Sequence, residues 1–341
     1  MKIQLVTPAP LRINNGNKIT ALRWAAILKK LGHRVRVSQR YDGQSCDALI
    51  ALHARRSYDS IARFHESHAD LPLVVVLTGT DLYKDIRVDA DARRSLELAK
   101  RLVALQKMAL VELPKRLHAK TRIIYQAAEP YKARRLPQRG GFEVCVIGHL
   151  REEKDPLRAA IAVRDLPPAS RIRVTHVGLA LDKAWAKRAR SEMKNNRRYR
   201  WIGGRSHERT RKLLAQSHLL VITSRMEGSS NVLSEALASG VPVLAARIPG
   251  LMGTLGKTYP GFFPVGDSRT LARLLLRAES DAKFYRALKT ACRHFSPLVS
   301  PRRELGAWRG LLNELRSRSR VTQTSSRRGS MKRRDTLSTA E

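Results

Sequence analysis

The chain has 341 residues, 43% of them hydrophobic and 28% charged, with a formal net charge of +37. This length favours two domains with sizeable cores, and the longest apolar run, over 71–77, is far shorter than the roughly 20 residues of a membrane span. The opening run reaches Pro8 too early for a signal-peptide core, and Cys46, Cys145 and Cys292 are too dispersed for a disulfide scaffold or a Cys-paired zinc site. A cytoplasmic α/β protein is expected. Read in order, 2–6 is a buried strand ending in a Pro-rich turn. A helix then carries Leu22, Ala25, Ala26, Ile27, Leu28 and Leu31 on one face and stops at Gly32. Strands at 33–37, 46–52, 73–77 and 101–105 alternate with helices at 57–68 and around 92–99.

Residues 129–141 are rich in Pro, Arg, Lys, Gln and Gly and read as a linker, after which the alternation restarts. Strands are predicted at 142–148, 173–178, 199–202, 219–223 and 241–245, with a helix at 156–163. Two Rossmann-like domains, 1–128 and 142–315, are therefore expected to face each other across a cleft, with ligands at the carboxyl ends of the strands. Residues 316–341 carry eight basic and two acidic residues and almost no large apolar ones, which predicts a disordered basic tail.

The charge also invites a nucleic-acid reading. The excess is spread along the chain, aromatics are only 5%, and no recognition helix, zinc finger or aromatic-studded basic strand stands out. An Arg-rich solvated surface, or a cleft whose field draws an anionic substrate, accounts for it better. No specific nucleic-acid partner is expected.

The segment from Ser224 to Leu244 leaves an apolar strand, crosses a Gly/Ser turn, enters a helix and returns through Gly240-Val241-Pro242 to a strand. Free amides near Ser230, Asn231 and Val232 would present positive partial charge to a phosphate. Glu227 before the helix and Glu235 within it could accept from sugar hydroxyls on either side of a diphosphate. Alternatively, Glu227 is a helix N-terminal acid and Glu235 a surface residue.

Glu227-x7-Glu235 followed by Ala236-Leu237-Ala238-Ser239-Gly240-Val241-Pro242-Val243 resembles the donor site of the family 4 glycosyltransferases of GT-B fold. The resemblance implies that Glu227 contacts the donor sugar, that the amides from Ser230 to Val232 hold the diphosphate, and that Glu235 binds the ribose. Lys154, in Gly148-His149-Leu150-Arg151-Glu152-Glu153-Lys154, matches the diphosphate lysine. His149 stands where the family has an arginine, and Arg151 is the alternative source of that charge. Gly16 matches the glycine that lets the backbone approach the donor, and Trp201 lies at the strand end framing the base. The bland alternatives are a solvated loop lysine, a turn glycine and a core tryptophan.

A narrower set is similar to the selenosugar synthases of selenoneine biosynthesis. It comprises Thr7-Pro8-Ala9-Pro10 with Gly16-Asn17-Lys18-Ile19-Thr20-Ala21-Leu22-Arg23-Trp24, Leu52-His53-Ala54-Arg55-Arg56-Ser57, Leu77-Thr78-Gly79-Thr80-Asp81-Leu82-Tyr83, Gly148-His149-Leu150-Arg151 with Lys154-Asp155-Pro156, Arg247-Ile248-Pro249-Gly250 and Tyr259-Pro260-Gly261-Phe262-Phe263-Pro264-Val265-Gly266-Asp267. That resemblance implies transfer from a UDP-sugar, preferably UDP-N-acetylglucosamine, to selenophosphate, forming a carbon–selenium bond. It also implies partner enzymes that make selenophosphate and consume the selenosugar. An anionic nucleophile needs cationic positioning more than deprotonation. His53, Arg55 and Arg56 after a strand end are suited to a phosphoryl group, and Thr80 and Asp81 line the same expected cleft. Asp81 either orients a hydroxyl or caps the next segment. Lys154, Arg151, Glu227 and Asp81 are the expected catalytic set, and no metal or other cofactor is expected. The rival readings are a conventional family 4 transferase acting on a sugar, lipid or metabolite, and a basic nucleic-acid binder on a degenerate fold.

Overall fold

The computed structural model describes residues 1–8, 16–131 and 140–316; the expected tail beyond 316 and most of the expected linker lie outside them. The first domain is a parallel six-stranded sheet. Its strands are β1 (Lys2–Val6), β2 (Arg34–Ser38), β3 (Ala48–Leu52), β4 (Leu73–Leu77), β5 (Arg101–Ala104) and β6 (Thr121–Ile123), in the order β2-β1-β3-β4-β5-β6. The second sheet, also parallel, contains β7 (Phe142–Ile147), β8 (Ile172–Val177), β9 (Tyr199–Trp201), β10 (Leu219–Ile222), β11 (Val243–Ala246) and β12 (Phe262–Phe263), in the order β12-β11-β10-β7-β8-β9. Every residue of β3, β4, β10 and β11 is buried, as expected for strands covered on both faces.

The two orders explain where the loops meet. Strand order reverses at β1/β3 in the first sheet and at β7/β10 in the second, which opens a crevice at the carboxyl end of each. The loops after β7 and β10 therefore lie side by side, as do those after β3 and β4.

Most expected elements are present with ends moved by a residue or two. The strand expected from 241 begins at Val243, after Pro242, which has no N–H to give a ladder. The helix expected over 156–163 is shorter, Arg158–Ala162, preceded by a 3₁₀ turn Glu152–Lys154 that ends at Asp155 in the left-handed region (φ 43°).

The expected second-domain limit at 315 differs from the structure more substantially. A helix over 301–316 returns to the first domain, where Trp308, Leu311, Leu312 and Leu315 join the core of Ile3, Leu5, Trp24 and Leu28. Trp308 meets Trp24 edge to face at 4.8 Å, a contact worth about 1 kcal/mol beyond its area. Arg122 and Arg101 clasp Glu314 at 2.9 and 3.2 Å and hold its carboxyl below the usual range. Among the described residues no helix is long and apolar enough to cross a membrane, and all three cysteines are buried and free.

Candidate functional site

The loop after β10 and the helix Asn231–Ala238 form the centre of the cleft. Ser230 caps that helix, its Oγ accepting from Leu233 N at 3.4 Å. The first-turn amides at Asn231 and Val232 have no intrahelical acceptor, as at any helix start. Glu227 sits in the preceding loop, and its Oε1 accepts from Ser224 Oγ at 2.7 Å and from Lys154 Nζ. Lys154 reaches it from the neighbouring loop after β7.

Those two loops are fastened to each other through backbone. Thr223 Oγ1 donates to Lys154 O at 2.8 Å, and Arg225 N donates to Glu153 O at 2.8 Å. Behind Glu227 there is no spare room: a methyl on Gly250 would lie 1.8 Å from Glu227 O. The lysine and the first glutamate expected from sequence are thus brought together, with Ser224 as an additional member.

Glu235 is buried at 8% exposure, which corrects the alternative of a surface residue. Its Oε1 is 2.8 Å from Nε2 of His207, an exposed side chain that the sequence reading did not single out. His149 Nδ1 accepts from Leu179 N at 3.1 Å, which fixes the ring against the loop after β8. Arg151 is exposed and 3.9 Å from Glu153 Oε2, outside the Lys154–Glu227 pair. Trp201 donates from Nε1 to Gly178 O at 2.8 Å.

His176 on β8 was also missed. Its ring links Tyr199 OH and Gly148 O, each at 3.0 Å, and so steadies the start of the Lys154 loop. Complete burial lowers its pKa to about 4, so it is neutral in this role.

On the first domain, Gly16 begins the helix Gly16–Lys30, and its carbonyl lies 3.5 Å from Asn231 Nδ2. His53 follows β3 with φ 74°, a conformation uncommon for a residue other than glycine. Its Nδ1 accepts from Arg56 N at 3.3 Å and its Nε2 lies 2.9 Å from Thr80 Oγ1. This arrangement places the proton of the neutral ring on Nε2 and leaves the Thr80 hydroxyl free to donate onward. Arg55 is exposed but donates to Asp85 Oδ2 at 3.1 Å, and Arg56 is exposed.

Asp81 requires a correction. It is fully buried at the start of a π-helical turn, Asp81–Asp85, and its carboxylate accepts from Thr78 N, Gly79 N and Ala54 N at 2.7–3.2 Å. Those amides hold it as the clasp between the β3 and β4 loops, not as a group turned toward substrate. Nor does it cap the segment that follows, whose N-cap is Thr80; its bonds run back to the loops after β3 and β4.

The two sets of loops touch. A methyl on Gly228 would fall 2.3 Å from Thr78 O, and one on Gly79 would fall 3.0 Å from Gly228 N. Thr80 and Glu227 therefore flank one interdomain contact. Among the described residues, no group of three His, Cys, Asp or Glu side chains is placed to hold a metal ion.

Known proteins are similar to this chain in fold and, over its second half, in sequence. Residues 129–295 match the family model for glycosyl transferases group 1. HepE from Anabaena, solved with UDP, is 18% identical over 93% of this chain and 99% of its own, with a TM-score of 0.70. Sucrose-phosphate synthase from Thermosynechococcus elongatus is 16% identical over 93% and 99%, with a TM-score of 0.74. A glycosyltransferase from Rickettsia africae is 14% identical over 92% and 98%, with a TM-score of 0.70. At such identities the likeness is one of fold, whereas the family match covers the very loops that carry Lys154, Glu227 and Glu235. The second domain is thus similar to the glycosyl transferases group 1, and the chain as a whole shares its two-domain parallel-sheet architecture with solved glycosyltransferases.

Proposed function

We propose that the chain is a UDP-sugar-dependent glycosyltransferase that moves a sugar, with UDP-N-acetylglucosamine as donor, onto selenophosphate. The observation that carries the donor half is the Lys154–Glu227 pair beside the open first turn of the helix Asn231–Ala238. An ammonium has three donors, so Lys154 keeps Glu227 while giving another hydrogen bond to a diphosphate oxygen. Glu227 retains Oε2 for a sugar hydroxyl, and Glu235 takes the ribose. Gly16 lets the chain come close to the donor. HepE, a fold neighbour, has been solved with UDP-glucose, which fits a nucleotide in this cleft.

In the reaction the selenium lone pair forms a bond to the anomeric carbon as the bond to the diphosphate oxygen breaks, and UDP leaves with that electron pair. Water then takes the phosphoryl group from selenium, releasing phosphate and the selenosugar. Lys154, the exposed Arg151 and the amides at Asn231 and Val232 stabilise charge growing on the leaving diphosphate, the term that contributes most in such sites. His53, through the Thr80 hydroxyl, and the guanidiniums of Arg55 and Arg56 hold the acceptor's phosphoryl oxygens. No resident metal or other cofactor is part of this scheme. Enzymes that form selenophosphate and consume the selenosugar complete it.

A second reading, a conventional hydroxyl acceptor, is favoured by one observation. Asp85 already neutralises Arg55 and stands 3.9 Å from His53 Nε2, placing a carboxylate among the acceptor-side cations. The test is anaerobic incubation with UDP-N-acetylglucosamine and selenophosphate, thiophosphate, phosphate or no acceptor, followed by UDP release and mass spectrometry. A selenium-bearing sugar formed with selenophosphate alone is the expected result. UDP binding without any such product overturns the acceptor assignment and leaves the conventional one.

A further inference from the structure

We infer that His207 is a positioning residue that aims Glu235 at the ribose diol of the nucleotide. The inference rests on the reading of Glu235 as the ribose carboxylate. Glu235 is 8% exposed, and a carboxylate so far from water is costly unless it is hydrogen-bonded. Among the described residues its only side-chain partner is His207 Nε2, at 2.8 Å.

The placement of that partner is built into the fold. His207 opens the helix His207–Gln216, whose start is fixed by Ser206 Oγ accepting from Arg209 N at 3.3 Å. The imidazole thus reaches Glu235 from the loop after β9, over the helix that follows β10. It is 57% exposed, so it stands at the solvent edge of the site and not in a core that needs it for packing.

A bond to Oε1 stops the carboxylate from turning and leaves Oε2, with its lone pairs, in one direction. Two vicinal hydroxyls can then donate to a preset acceptor. A site built this way also discriminates, because an analogue without the hydroxyls leaves the buried carboxylate unpaired on that side.

The test is calorimetric titration of the full chain with UDP and with 2′,3′-dideoxy-UDP. His207→Ala is expected to weaken UDP about tenfold while changing the dideoxy analogue by less than about twofold, so the preference for ribose shrinks. His207→Gln, which keeps an N–H donor, is expected to restore part of that preference. Equal weakening of both ligands, or no change in either, overturns the role of His207. Glu235→Gln separates the two readings. If it leaves the ribose preference intact, the assignment of Glu235 falls and His207 with it. If it abolishes the preference while His207→Ala does not, only the inference about His207 falls.

Discussion

Arg23 Nη1 on the first domain donates to Oδ1 of Asn231, the opening residue of the helix Asn231–Ala238 on the second, at 3.0 Å. The same guanidinium is held from behind by Glu304, whose carboxylate is 3.1 Å from Arg23 Nε and also accepts from Trp24 Nε1 at 2.6 Å. Asn231 in turn points its Nδ2 at Gly16 O. An amide side chain can do both because it carries an acceptor and a donor. The helix over 301–316 thus supplies, through Glu304, the anchor by which one domain grips the other beside the start of the helix Asn231–Ala238.

Removing one member of that grip should be costly. The Glu304 side chain is 1% exposed, so Arg23→Ala leaves a buried carboxylate with the indole as its remaining donor. Urea unfolding is expected to show a loss of about 3 kcal/mol. Adding Glu304→Gln removes the stranded charge, and the double variant should lose less than Arg23→Ala alone. An Arg23→Ala protein as stable as wild type would count against the clamp.

The Gly228 contact sets how near the domains approach. Gly228→Ala places a methyl 2.3 Å from Thr78 O, a backbone atom of the other domain, so the cleft must open to accept it. Turnover is expected to fall more than about tenfold because donor and acceptor groups separate. Small-angle scattering should report a larger radius of gyration, with the melting temperature little changed, since neither core is touched.

Asp81 gives a test of role. Asp81→Asn leaves one carbonyl oxygen to serve three backbone N–H groups, and a loss of about 2 kcal/mol in stability is expected. The pH–rate profile of the variant should keep the wild-type shape. Disappearance of an acidic limb would show instead that Asp81 titrates in the reaction.

His176 should make the second domain acid-sensitive. Its pKa is about 4 in the fold, against 6.5 for an unperturbed ring. Above 6.5 neither state binds the proton. As pH falls through that value the unfolded chain takes a proton that the native site refuses, and the loss grows to about 3 kcal/mol near pH 4. Comparing urea midpoints of wild type and His176→Gln from about pH 7 to about pH 4.5 should show the difference shifting in favour of the variant. A difference that does not change with pH would mean that His176 is not held neutral.

The strands were legible because a strand buried on both faces is a short apolar run, and β3, β4 and β10 are nearly pure ones. Lys154 and Glu227 were legible as motif members, and the switch point between β7 and β10 explains why they meet. Residues whose roles depend on distant partners were not. Arg23 and Glu304 lie 281 positions apart, and nothing local marks the helix over 301–316 as part of the first domain. His207 carries only the sign of a helix start after Ser206. Asp81 reads as a cleft acid in sequence, and only the three amides around it reveal a clasp.

UDP titration into the wild-type chain and Lys154→Ala tests the donor site most directly, because it needs no acceptor. The account predicts that wild type binds UDP and that Lys154→Ala binds it more than about tenfold more weakly, the loss of one charge-assisted hydrogen bond to the diphosphate. Equal affinity in the two proteins, or a wild-type chain that does not bind UDP, would contradict it.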